Sequence, residues 1–207
     1  RDLFLATALC GASKLLRHNR LVQRNMILIP VVLSFSVSGL VLWMLLSPRL
    51  KTFGLDYPNH RSMHTSPVPR TGGLSILFGA TTSFPFLGVT ECYFLFLMVL
   101  LASISFIDDI YNLKISLRIV MHIIVVTTFM LIFEHDLEFI AAFVVGTYLV
   151  WHTNLYNFMD GIDGLAGAMS LVGFGTLGGM ALYQEYHSLA VLSLALATAV
   201  IPFLIFN

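Results

Sequence analysis

Two adjacent acids, Asp108 and Asp109, close an apolar run in the segment FIDDIYNLK. A helix C-terminus already carries partial negative charge and neighbouring carboxylates repel, so this arrangement calls for a cation. Oxygen ligands of this kind suit Mg²⁺ or Mn²⁺, above all when a phosphate-bearing substrate completes the coordination shell. The alternative is an exposed acidic turn paired with Lys114. Lys114, Arg118 and His122 then recur every four residues and line one face of the next helix. Such a stripe binds phosphate opposite the aspartates, or else anchors the helix at the membrane interface. The second reading suits Lys114 and Arg118 and accounts poorly for His122.

A second polar group lies in NLYNFMDGIDGLAG, where Asn154, Asn157, Asp160 and Asp163 recur at intervals of three. On a helix they form one slowly rotating polar edge, while Gly161, Gly164 and Gly167 permit a break or a close backbone approach. Lipid does not tolerate such an edge, so a protein-lined cavity is expected, with a solvated turn as the plain alternative. The stretch DYPNHRSMHTSPVPRTGGL combines two histidines, two arginines and three prolines before a glycine pair. Its prolines predict an ordered extended segment, and the residues alone leave its histidines either solvated or functional.

The elements that position these groups must be membrane helices. The chain of 207 residues is 57% hydrophobic and 11% charged, with a mean hydropathy of +0.88, beyond the range of a soluble domain. Net charge is zero and no basic run occurs, which gives no case for a nucleic-acid partner. Cys10 and Cys92 stand far apart without metal-ligand spacing and read as packing residues. Spans are expected near Met26 to Leu46, Gly72 to Val89, Cys92 to Ile107, Leu117 to Phe133, Leu137 to Leu155, Leu165 to Tyr183 and Ser188 to Phe206. The predicted fold class is therefore all-α, a polytopic transmembrane bundle of about seven helices.

Arg49, Lys51, Arg61, Arg70, Lys114 and Arg118 fall in or beside the first and third connections, whereas the second, fourth and sixth hold Glu91, then Glu134, Asp136 and Glu138, then Glu185, with no lysine or arginine. The positive-inside rule then makes the first, third and fifth connections cytoplasmic. Lys14, Arg17, Arg20 and Arg24 would lie outside on this scheme. The economical expectation is that residues 1–25 are an upstream or non-native extension, with an amphipathic surface helix as the alternative. The end in an apolar run suggests that residues 26–207 form the N-terminal part of a single domain whose C-terminal part is missing.

From Met26 to Asn207 the sequence resembles the polyprenyl-phosphate N-acetylhexosamine-1-phosphate transferase family, glycosyltransferase family 4. Its bacterial members initiate O-antigen, enterobacterial common antigen and teichoic acid linkage synthesis. Three motifs carry the resemblance, PNHRSMHTSPVPRTGG, FIDDIYNLKISLR and NLYNFMDGIDGLAG, all on the side assigned as cytoplasmic. It implies that Asp108 and Asp109 belong to a magnesium and phosphate centre. Asn112 stands as a third metal ligand where many members have a further aspartate. Arg118 is implied to contact diphosphate, joined by Lys114, Arg61, His64 and Arg70 as substrate-binding positions. Asn154 and Asn157 are implied to bind substrate, and Asp160 and Asp163 to act in catalysis beside Asp108 and Asp109. Two family elements, a phenylalanine-rich segment ending in Gly-Asp and a later histidine-bearing loop, would lie beyond Asn207.

The resemblance implies transfer of an N-acetylhexosamine 1-phosphate from a UDP-sugar to undecaprenyl phosphate at the bacterial inner membrane, with Mg²⁺ and release of UMP. It allows a homodimer and leaves the amino sugar and the pathway open. The rival readings are a cation-coupled transporter and an inactive fragment or scaffold. A transporter predicts inverted internal repeats, and the acidic pairs instead sit in unlike contexts at one face.

Overall fold

The computed structural model describes residues 26–48, 50, 55–56, 68–69, 71–111, 113–133, 137–159 and 164–206. The expectation for residues 1–25 lies outside them. Seven helices follow in order: α1 Met26–Leu45, α2 Gly72–Thr81, α3 Val89–Tyr111, α4 Ile115–Phe133, α5 Phe139–Met159, α6 Leu165–Tyr183 and α7 His187–Phe206. Six of them, all but α2, are long and apolar enough to cross a membrane. Two-residue strands, β1 Leu55–Asp56 and β2 Val68–Pro69, pair antiparallel between α1 and α2.

The second stretch differs in form from the single helix expected over residues 72–89. Hydroxyls of Thr81, Thr82 and Ser83 donate to carbonyls three residues back, at 2.8, 2.7 and 2.7 Å, competing with the backbone ladder. Helix α2 ends there, and a 3₁₀ turn, Phe84–Phe86, continues the path. The third stretch is longer than expected: α3 has 23 residues and carries both Asp108 and Asp109 in its last turn.

Helix α7 is the central element, with Ala190, Val191, Leu192, Ala195, Leu196, Ala197, Ala199 and Val200 buried. Between membrane helices apolar burial gives little drive, so small residues and interhelical hydrogen bonds hold the contact. Ser34 and Ser38, one turn apart on α1, donate to the Ala195 and Ala199 carbonyls, one turn apart on α7, both at 2.6 Å. The order 34 to 38 against 195 to 199 makes α1 and α7 parallel. On α2 and its continuation, Gly72 faces Phe203, Gly79 faces Ala199 and Gly88 faces Ser188, so this path runs antiparallel along α7 for most of its length. Helix α6 is antiparallel as well, with Gly167 against Phe203 and Leu204, and Gly178 against Leu194. Parallel first and seventh elements are what seven alternating traverses produce.

Two backbone devices shape the turns around α6. Gly164, at its start, has φ 68°, a left-handed conformation that glycine adopts without Cβ strain. At its end, the Tyr186 N–H reaches the Ala181 carbonyl and the Glu185 N–H that of Leu182. This is a Schellman closure with Glu185 at φ 62° in the usual glycine position.

Candidate functional site

Alternation of the helices puts the ends of α1, α3, α5 and α7 and the starts of α2, α4 and α6 at one end of the bundle. Close contacts on Phe203 tie the starts of α2 and α6 together there. Gly72, at the end of the first motif, meets the Phe203 ring, which also meets Gly167 of the third motif. An added Cβ at Gly72 would lie 2.6 Å from the Phe203 ring, so the glycine is what lets α2 approach α7 this closely. Thr71, just before it, is buried.

The second motif closes on itself. Asp108 Oδ1 accepts the Leu113 N–H at 2.9 Å, and Oδ2 accepts Arg118 Nη1 at 3.0 Å. One carboxylate thus fixes both the α3–α4 turn and the first turn of α4. The pair is largely shielded, with side chains 14% and 27% exposed, and its charge-assisted bond is of the stronger kind. Lys114 is exposed, so the basic stripe divides: Arg118 takes the Asp108 partner that the alternative assigned to Lys114, and Lys114 faces outward.

Four residues further on, His122 is 2% exposed. Its Nδ1 lies 3.2 Å from Asn154 Nδ2, and the same Nδ2 donates to the Val150 carbonyl at 2.9 Å. The helix that the second motif leads into therefore meets the third motif through a buried polar link between α4 and α5. The α5–α6 break is spanned by Tyr156, whose hydroxyl donates to the Ala166 carbonyl at 2.8 Å and lies 2.7 Å from Ser170 Oγ. Tyr156 went unnoticed in the sequence, although a phenol beside the polar edge of Asn154 was the available signal. The structure brings Asp108, Arg118, His122 and Asn154 together. Asp109 is exposed at the same helix end and is engaged in an interaction. Arg61, His64, Arg70, Asn112, Asp160 and Asp163 lie outside the described residues, as does the side chain of Asn157.

Residues 92–207 match the model of glycosyl transferase family 4. The chain belongs to glycosyl transferase family 4. The family match spans α3 to α7 and includes both acidic motifs. Among curated relatives, the undecaprenyl-phosphate alpha-N-acetylglucosaminyl 1-phosphate transferase of Yersinia pestis is 28% identical over 171 residues, 74% of this chain and 47% of the relative. The protein of the same name from Escherichia coli K12 is 28% identical over 178 residues, 76% of this chain and 48% of the relative. A probable undecaprenyl-phosphate N-acetylglucosaminyl 1-phosphate transferase of Bacillus subtilis is 27% identical over 202 residues, 87% of this chain and 56% of the relative. The chain spans about half the length of the relatives it matches. No solved structure matches it.

The donor set of this family 4 chain suits a hard divalent cation. Each Asp108 oxygen accepts one hydrogen bond from the described residues and keeps a lone pair, and Asp109 adds a second carboxylate next to it in the chain. Among the described residues no three His, Cys, Asp or Glu side chains form a closed cage. Mg²⁺ does not need one, since it commonly uses one or two carboxylates and completes its shell with water and substrate phosphates.

Proposed function

We propose that the protein containing this chain transfers N-acetylhexosamine 1-phosphate from a UDP-sugar to undecaprenyl phosphate, at the cytoplasmic face of a bacterial inner membrane. The observation that carries the reading is the Asp108–Arg118 pair, built between two membrane helices at the bundle end where the starts of α2 and α6 meet on Phe203. Family membership and the names of the relatives support the same chemistry.

In the reaction, an oxygen of the lipid phosphate attacks the sugar-bearing phosphorus of the UDP-sugar. A new P–O–P bond forms, the old bridging P–O bond breaks, and UMP leaves with its electron pair. Positioning and charge neutralisation dominate such a transfer, because the attacking phosphate is already anionic near neutral pH. Asp108, Asp109 and Asn112 would hold Mg²⁺, which supplies neutralisation of the diphosphate charge when bound. Arg118, anchored on Asp108, clamps phosphate oxygens, with Lys114, Arg61, His64 and Arg70 as further contacts. Asn154, Asn157, Asp160 and Asp163 orient the nucleotide-sugar portion. A homodimer is compatible with this arrangement.

The test is UMP release by membranes that contain the protein. Release is expected from a UDP-N-acetylhexosamine only when undecaprenyl phosphate and Mg²⁺ are both supplied, and release without the lipid would overturn transfer to the carrier. A panel of UDP-sugars in the same assay identifies the amino sugar.

A further inference from the structure

The buried link between α4 and α5 fixes a hydrogen position. Asn154 Nδ2 donates to the Val150 carbonyl, which sets the amide orientation, and its second hydrogen points at His122 Nδ1. Nδ1 must then accept, so the imidazole is neutral and its proton resides on Nε2. That Nε2–H has no hydrogen-bond partner among the described residues, and neither has the Nε–H of Arg118, although both atoms are buried. The two residues are one turn apart on a single face of α4, and His122 lies within electrostatic reach of both Arg118 and Asp108. Buried donors are almost always satisfied, and an orphaned one is costly unless something supplies the acceptor. Two such donors on one face, beside a guanidinium, ask for an oxygen acceptor carrying negative charge.

We propose that His122 Nε2–H and Arg118 Nε–H form a paired donor site for a phosphate oxygen of the substrate. The inference rests on the transferase reading and adds His122 to it as a substrate-contacting residue, held in the donating tautomer by Asn154. A phosphate oxygen has two sources, the lipid phosphate and the nucleotide-sugar diphosphate, and both present the same acceptor.

The experiment measures inorganic pyrophosphate binding by calorimetry, in Mg²⁺ buffer, with the detergent-purified protein and two variants of matched thermal stability. His122→Asn keeps an acceptor toward Asn154 and loses the distal donor, whereas His122→Gln puts an amide N–H near the Nε2 position. Affinity should fall about tenfold or more in His122→Asn and stay within about threefold of the parent in His122→Gln. In ¹⁵N-histidine spectra the His122 Nε2 resonance, assigned by its loss in His122→Asn, should be protonated before ligand and move on adding pyrophosphate. Competition by a polyprenyl monophosphate or by UDP-N-acetylglucosamine, either one weakened in His122→Asn, identifies the source. Equal affinity in parent and His122→Asn, equal loss in both variants, or an unmoved Nε2 resonance overturns the proposal. UMP release on the same preparations separates the two readings: transfer with a His122-independent pyrophosphate site sinks this inference alone, and a His122-dependent site without transfer sinks the transferase reading alone.

Discussion

At the scale of single residues, Asp108 has two duties that substitutions can divide. Its Oδ1 closes the α3–α4 turn through the Leu113 N–H, while its charge faces Arg118. Asp108→Asn keeps an oxygen for Leu113 and removes the charge, so turnover should fall on the order of a hundredfold or more with the fold intact. Asp108→Ala removes both acceptors and should also lower stability by about 1–3 kcal/mol. Assays of UMP release paired with thermal unfolding in detergent check both statements. Normal turnover in Asp108→Asn would take this carboxylate out of the chemistry. The sequence singled out Asp108, Arg118, His122 and Asn154 by type and spacing, but the partner it offered for the acids was Lys114, whereas the structure pairs Asp108 with Arg118. The choice depended on where α4 begins: Lys114 precedes its first residue, Ile115, and stays in water.

At the scale of elements, the contact among α1, α2 and α7 rests on the absence of side chain at Gly79. A Cβ there would lie 2.7 Å from the Ser34 carbonyl oxygen, 2.8 Å from Ser38 Cβ and 3.1 Å from Ala199 Cβ. The first of these is backbone and cannot rotate aside. Gly79→Ala should therefore push α2 off the α1–α7 pair and cost about 1–3 kcal/mol. Gly175, in α6, has nothing within 4 Å of an added Cβ, and Gly175→Ala should be neutral or stabilising by up to about 1 kcal/mol through helix propensity. Unfolding midpoints of the two variants in one detergent provide the comparison, and equal shifts would remove the interlock from the account. Helix α5 behaves differently, with no buried residue among its described side chains. Phe139, Ile140, Phe143, Val144 and Trp151 lie outward, an apolar surface of the kind lipid covers.

At the scale of the whole molecule, seven traverses put Lys114 at the end that gathers the motifs and Tyr186 at the other. Single cysteines at these exposed positions, in a background with Cys10 and Cys92 replaced by serine, should react with an impermeant maleimide from opposite sides of the membrane. On the proposed orientation Lys114→Cys is protected in intact cells and labelled in inverted vesicles, and Tyr186→Cys shows the reverse. Labelling of both from one side would break the seven-traverse arrangement and separate the motif-bearing connections.

Composition and apolar run lengths determined that this chain is a helical membrane protein, because hydrocarbon thickness dictates how many apolar residues a span requires and these runs are far outside soluble patterns. The acidic and asparagine motifs were equally legible, since few contexts accommodate such groups beside apolar helices. Tertiary structure alone decided which polar atoms meet. The Asp108–Arg118 bond bridges a turn whose length the sequence left uncertain, the His122–Asn154 link joins residues 32 positions apart, and the broken α2 path survives because glycines let it lie against α7. Those are consequences of helix register and approach distance, which pairwise packing sets and local sequence does not encode.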